Sequence, residues 1–262
     1  MNDTKSAAAP AAAKVPGAFG NVMALARREL GFYFNSPVAY ITITLFLVVC
    51  GVYLFAIDEP SSGLSFFEAN EASMRKLFEM IPLFFIFLVP AITMRLIAEE
   101  KRSGTIELLV TMPVTDAQIA LGKFLGGLFF LVVALLATVP LAILVGSLGN
   151  MDTGLVIGGY LGLLFLGAAY LAIGLMASSW TDNQIVAYLV AAILCAFFFF
   201  VDGMAEVVSV GAKDALAALS FRAHFKNVAR GVVDTRDIVF YLSVIGVALV
   251  VTMQSLRARN WK

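Results

Sequence analysis

Six long, nearly uninterrupted apolar blocks alternate with short polar stretches along this chain of 262 residues. Each block is long enough to cross a hydrocarbon core of ~30 Å as an α-helix. Spans are expected at about 38–57, 77–98, 117–147, 154–178, 184–201 and 238–256, within one membrane domain over 37–257. Helix-start signals set several of these borders. Ser36-Pro37 places serine at an N-cap and proline at the first helical position. Thr115-x-x-Gln118 and Thr181-x-x-Gln184 fit capping boxes opening the third and fifth spans. Pro82 and Pro90 should kink the second span, since each removes a backbone hydrogen bond. The third block is long, so its first turns, with Lys123, should emerge from the membrane. Gly122-x-x-x-Gly126 and Gly158-x-x-x-Gly162 permit close helix contact, assigned here to packing within the chain. Phe197 to Phe200 must point to all sides of a helix, as bulk towards lipid and neighbours or, for one of them, as a substrate contact.

The connecting stretches differ in character. Residues 1–20, with AAAPAAAK at 7–14, are low in complexity, lack the apolar core of a signal peptide and are expected to form a disordered cytoplasmic tail. Within 21–36, Val22 to Phe34 mixes apolar positions with Arg27, Arg28 and Glu29. It predicts an amphipathic helix in the membrane interface with its basic residues towards headgroups, or else an extension of the first span. Residues 58–76 form a polar loop carrying Asp58, Glu59, Glu68 and Glu71. Glu79 and Arg95 lie near opposite ends of the second span, where Arg95 can snorkel and Glu79 is interfacial or faces a polar pathway. The 202–235 stretch is weakly apolar and broken by Gly211, Lys213 and Asp214. It suits short re-entrant or interfacial helices. The basic residues that follow, Arg222, Lys226 and Arg230, read as a solvated cap or as a basic lip at the exit of a translocation route. Residues 258–262 are a cytoplasmic tail.

The stretch 99–113, EEKRSGTIELLVTMP, stands apart. Four ionised side chains precede Ser103-Gly104, which break the chain. Ile106, Leu108, Leu109, Val110 and Met112 then make a short apolar turn that Pro113 stops. A stub of about two turns spans nothing. It carries an apolar face outside the membrane, a face that a partner protein is expected to cover.

Composition agrees with a polytopic membrane protein: 61% of residues are hydrophobic and 14% charged, against about 25% charged in soluble domains. Zero net charge gives no field that selects nucleic acid. Cys50 and Cys195 lie in apolar blocks and pack as small hydrophobes, and His224 is the single histidine. A metal site or a His-rich proton relay is therefore not expected. Eleven of the eighteen basic residues fall on one side if both termini are cytoplasmic, which places 99–113 there too. The one Gly-Lys pair, Gly122-Lys123, has Ala117 where a phosphate-binding loop needs glycine, so no ATP site is expected in this chain. Motifs of an embedded protease or lipase are missing as well.

Several of these residues together resemble a permease subunit of the ABC-2-type (type V) ABC transporter family. They are the helix at 22–34, the turn AEEKRSGTIELLVTMPVT…LGKFLGG, and the C-terminal HFKNVARGVVDTRDIVFYLS…RARNWK. The likeness is nearest to the gliding-motility-associated branch. It implies an all-α membrane protein of six transmembrane helices. An N-terminal interfacial helix containing Arg27, Arg28 and Glu29 precedes them, and re-entrant helices lie between spans five and six. It further implies a cytoplasmic coupling helix that docks on a separate ATPase subunit through Gly104, Thr105, Ile106, Glu107, Leu108, Leu109, Thr111 and Pro113, with Glu99 and Glu100 as the acids preceding it. ATP and Mg would reside on two partner ATPase subunits, and a second permease subunit, identical or related, would complete the transporter in a bacterial inner membrane. An anchored extracytoplasmic auxiliary protein would fit the motility branch. The turn at 179–183 is short and free of Lys and Arg, which disfavours a second coupling contact. The alternative function is a membrane anchor or force-transmitting part of a motility or envelope complex that moves no solute. A passive channel or ion-coupled carrier is disfavoured because ionisable residues sit at span ends.

Overall fold

A computed structural model describes residues 17–57, 73–105, 114–149, 151–204, 213–231 and 234–258. Among them are eleven α-helices and no strand. They are α1 (Ala18–Phe34), α2 (Pro37–Phe55), α3 (Arg75–Thr93), α4 (Arg95–Arg102), α5 (Asp116–Leu136) and α6 (Val139–Leu148). After these come α7 (Thr153–Trp180), α8 (Gln184–Met204), α9 (Lys213–Leu219), α10 (Phe221–Ala229) and α11 (Thr235–Arg257). Six helical segments are long and apolar enough to cross a membrane: Pro37–Phe55, Arg75–Arg102, Asp116–Leu148, Thr153–Trp180, Gln184–Gly203 and Thr235–Arg257. The expected spans are all present, with ends displaced by a few residues.

The cap signals explain most of the starts. The Ser36 hydroxyl accepts from the Val38 N–H at 3.3 Å, with Pro37 beside it. Thr115 and Gln118 form the reciprocal box that opens α5. The second expected box does not form. Asn183 Oδ1 takes the Ile185 N–H at 2.9 Å, and the Gln184 amide turns away to Glu99. Asparagine in the Ncap position captures the orphan N–H itself, which frees the glutamine.

Two spans are broken. α3 runs through both Pro82 and Pro90, and the interruption falls at Met94, between α3 and α4. The third span breaks at Ala137-Thr138, ahead of Pro140 in the first turn of α6. The Thr138 hydroxyl donates to the Leu135 carbonyl at 2.7 Å and lies 3.0 Å from the Tyr160 hydroxyl. A polar side chain thus sits at the break, bonded to the last turn of α5 and beside a hydroxyl of the fourth span.

The fourth span, α7, is the axis. It is buried on every side from Leu166 to Leu175, and it packs against α3, α4, α5, α8, α10 and α11. Small residues make this approach possible. A Cβ added at Gly174 would lie 2.0 Å from Thr93 Oγ1, and one at Gly158 would lie 2.5 Å from the Val228 carbonyl of α10. The predicted glycine pairs therefore serve packing within the chain: Gly158 and Gly162 seat α10, and Gly122 and Gly126 seat α1. By contrast α2, α8 and α11 leave most of their surface outside the core. Of the predicted re-entrant region, α9 and α10 are described; 205–212, with Val207, Val208, Val210 and Gly211, lies outside the described residues.

Candidate functional site

At the end of the bundle that holds the start of α1 and the end of α11, five elements meet at the last turn of α4. This turn, Glu99 to Arg102, is the base of the 99–113 stretch. Gly104 then adopts φ +71, where glycine avoids the Cβ clash of the left-handed region. The Ser103 N–H bonds back to the Glu99 carbonyl at 2.9 Å, and that of Gly104 to the Lys101 carbonyl at 3.3 Å, closing the helix. Thr105 stays beside this turn, 2.9 Å from the Ser103 hydroxyl. Ile106, Glu107, Leu108, Leu109, Thr111 and Pro113 lie outside the described residues.

The interface helix reaches this point along a route that amphipathicity alone does not predict. Asn21 meets Gln118, Leu25 meets Gly122, Glu29 meets Gly126 and Tyr33 stacks on Phe130. Steps of four residues on both partners mean that α1 runs parallel to α5 for three turns. Leu25, Ala26, Glu29 and Tyr33 are buried, while Arg27, Arg28 and Phe32 remain outside. The basic face is thus split, because Arg28 turns onto Glu100 and only Arg27 keeps the expected outward position without such a partner among the described residues.

A compact ion network joins the pieces. Lys123 Nζ lies 3.0 Å from Glu29 Oε1 and 2.8 Å from Glu100 Oε1. Arg28 reaches the same Glu100 oxygen at 2.7 Å. Two cations and two carboxylates cancel. That balance is what allows Lys123 to be only 1% exposed, since an unpaired buried ammonium would be very costly. Lys123 is thus shielded from solvent: carboxylates from α1 and α4 replace water around it.

Other bonds fasten the remaining residues of the turn. The Gln184 amide at the start of α8 donates to Glu99 Oε2. The Lys101 ammonium donates to the Ser179 carbonyl at the end of α7, which also accepts from the Ser255 hydroxyl of α11 at 2.8 Å. The orphan carbonyl of a helix C-terminus is a natural acceptor for a cation. The Arg95 guanidinium rests over the Phe32 and Tyr33 rings at 5.1 and 4.9 Å. Burial pushes the Tyr33 phenol well above its usual pKa, so it stays a neutral donor to the Ile92 carbonyl at 3.1 Å.

The cavity beside this network has a volume of about 70 Å³, too small for a nucleotide. No group of three metal-ligating side chains occurs among the described residues. The arrangement is a joint, fixing the base of 99–113 to the third, fourth and fifth spans and to α1. A family model described as ABC-2 family transporter protein matches residues 23–220. The chain belongs to the ABC-2 transporter family. No curated protein gives a significant match. This ABC-2 chain is a multi-pass membrane protein and a permease component of an ABC transporter, a class that works with an ABC ATPase. Neither Lys123 nor Gln184 was among the residues the sequence singled out for this site. The one signal pointing to Lys123 is a charge placed inside a glycine pair, Gly122 and Gly126, already marked for close contact.

Proposed function

We propose that this chain carries the motion of a separate ATPase subunit into the membrane and so drives export of a substrate. The segment 99–113 is the coupling element, cytoplasmic as are both termini, and Leu108 and Leu109 are its anchors in a cleft of the ATPase. Glu107 makes a polar contact there. The chain binds no nucleotide; ATP and Mg sit on the partner. Two ATPase subunits and a second permease subunit complete the assembly in a bacterial inner membrane, in the gliding-motility-associated branch, with room for an anchored extracytoplasmic partner.

The observation that carries this reading is the fastening of Glu99, Glu100 and Lys101 to α8, to α5 and α1, and to α7. A displacement applied at 99–113 cannot be absorbed locally, because every side chain of the base with a described bond is tied to a different helix. ATP binding and release then shift the population between two arrangements of the spans, each favoured by one nucleotide state.

The test is co-purification from membranes of the chain with its ATPase subunit, followed by ATP-dependent transport. Leu108→Asp together with Leu109→Asp should abolish recovery of the ATPase while leaving the chain folded in the membrane. Normal recovery and full transport by that variant would overturn the reading.

A further inference from the structure

At the opposite end of the bundle lies a cavity of about 340 Å³, within the range that takes small amphiphilic ligands. Its charged lining is Arg75 and Glu79 from α3 and Arg222, Lys226 and Arg230 from α10 and its cap. Four cations thus face one carboxylate, and that carboxylate is already 3.9 Å from Arg75. Among the described residues Arg222, Lys226 and Arg230 have no ion-pair partner.

The spacing of these three cations is the informative feature. Positions 222, 226 and 230 follow one another at four-residue steps and so form a row along one face of α10. Like charges in that register weaken a helix, and nothing local offsets them. The row is nevertheless held rigidly. The adjoining face, Phe221, Phe225 and Val228, is buried against α7, where Gly158 and Gly162 allow contact so close that added Cβ atoms would lie 2.5 Å from the Val228 carbonyl and 3.1 Å from the Phe225 ring. A preorganised row of donors over a low-dielectric floor concentrates an anion-attracting field. Guanidinium groups match the oxygens of a phosphate in paired hydrogen bonds. The floor itself is apolar, made by Phe78, Phe199 and Phe225, all buried.

We infer that this cavity binds the phosphate-bearing headgroup of an anionic amphiphile. The α10 row holds the charge, and Phe78, Phe199 and Phe225 take the first carbons of the apolar part. Its service as an exit station for the exported substrate rests on the transport reading; the binding does not.

The chain alone, in phosphatidylcholine nanodiscs doped with spin-labelled phosphatidylglycerol, tests this by electron paramagnetic resonance. The motionally restricted fraction should favour phosphatidylglycerol over spin-labelled phosphatidylcholine. Arg222→Gln with Lys226→Gln should weaken that preference about tenfold or more. Arg222→Lys with Lys226→Arg, which keeps the charge, should retain most of it. Arg236→Gln removes an exposed cation at the same end without touching the cavity and should change nothing. Equal restriction of both lipids, or a preference that survives the double substitution, would overturn the site. So would full displacement of the lipid by millimolar inorganic phosphate, which would make it a site for a free anion. Recovery of the ATPase subunit by the double variant is measured in parallel. It should be unchanged, so failure of the cavity and failure of the transport reading give different results.

Discussion

The Ser178 hydroxyl donates a hydrogen bond to the Met94 carbonyl at 2.9 Å, in the break between α3 and α4. The same oxygen accepts from the Ile97 N–H at 3.1 Å and the Ala98 N–H at 3.0 Å. The Ile97 N–H is an orphan donor of the first turn of α4, so a serine on the fourth span caps a helix on the second. The break is thereby fixed in place rather than loosened.

Replacing Ser178 by alanine leaves two buried N–H groups without that acceptor and should cost about 1–3 kcal/mol. The readout is amide hydrogen exchange, in which Ile97 and Ala98 should lose protection before the rest of the second span. Unchanged exchange at both amides would show that the hydroxyl does not cap α4.

Lys123→Met should be more damaging, because Glu29 and Glu100 would face each other without the cation between them. Breaking a buried ion network by removing one partner typically costs about 3–5 kcal/mol. Adding Glu29→Gln to Lys123→Met leaves Arg28 and Glu100 as a balanced pair and should recover a large part of that loss in thermal unfolding in detergent. A double variant no more stable than Lys123→Met would refute the charge-balance account.

The docking of α1 depends on contact without a side chain at Gly122. A Cβ there would lie 2.6 Å from Leu25 Cβ, so Gly122→Val should push α1 away, at a typical overpacking cost of about 1–3 kcal/mol. In a background with Cys50 and Cys195 replaced by serine, Ala26→Cys reports the event. Ala26 is fully buried, so maleimide labelling should be slow with Gly122 intact and fast once Gly122→Val is added. Equal rates would mean that α1 is held by something other than this seat.

Gly231 sits at φ +83, in the turn between α10 and α11, with its backbone against Gly154. Gly231→Ala places a Cβ in the left-handed region at a cost of about 1–2 kcal/mol. It should lower the melting temperature of the protein while leaving recovery of the ATPase subunit intact, since the strain lies at the end of the bundle away from 99–113.

Local chemistry made much of this fold legible. Continuous apolar stretches gave six spans, and Ser36, Thr115 and Gln118 marked starts that the helices use. Ser103-Gly104 marked the end of α4. Pairings remote in the chain were not legible. Nothing near Lys123 in sequence indicates Glu29, and nothing near Gln184 indicates Glu99, because partners so far apart are set by packing. The break at Thr138 had a local sign in Pro140, but hydropathy hides a single threonine inside an apolar run. The role proposed for 99–113 comes from the likeness to ABC-2 permeases; residue patterns alone describe that stretch only as a short apolar stub.

The cancelling quartet of Arg28, Glu29, Glu100 and Lys123 has an electrical consequence. A group with no net charge does no work against the transmembrane voltage when it shifts. An energised and a de-energised membrane therefore load this joint equally. A voltage-sensitive displacement is instead expected at the other end, where four cations line the cavity beside α10 with one carboxylate.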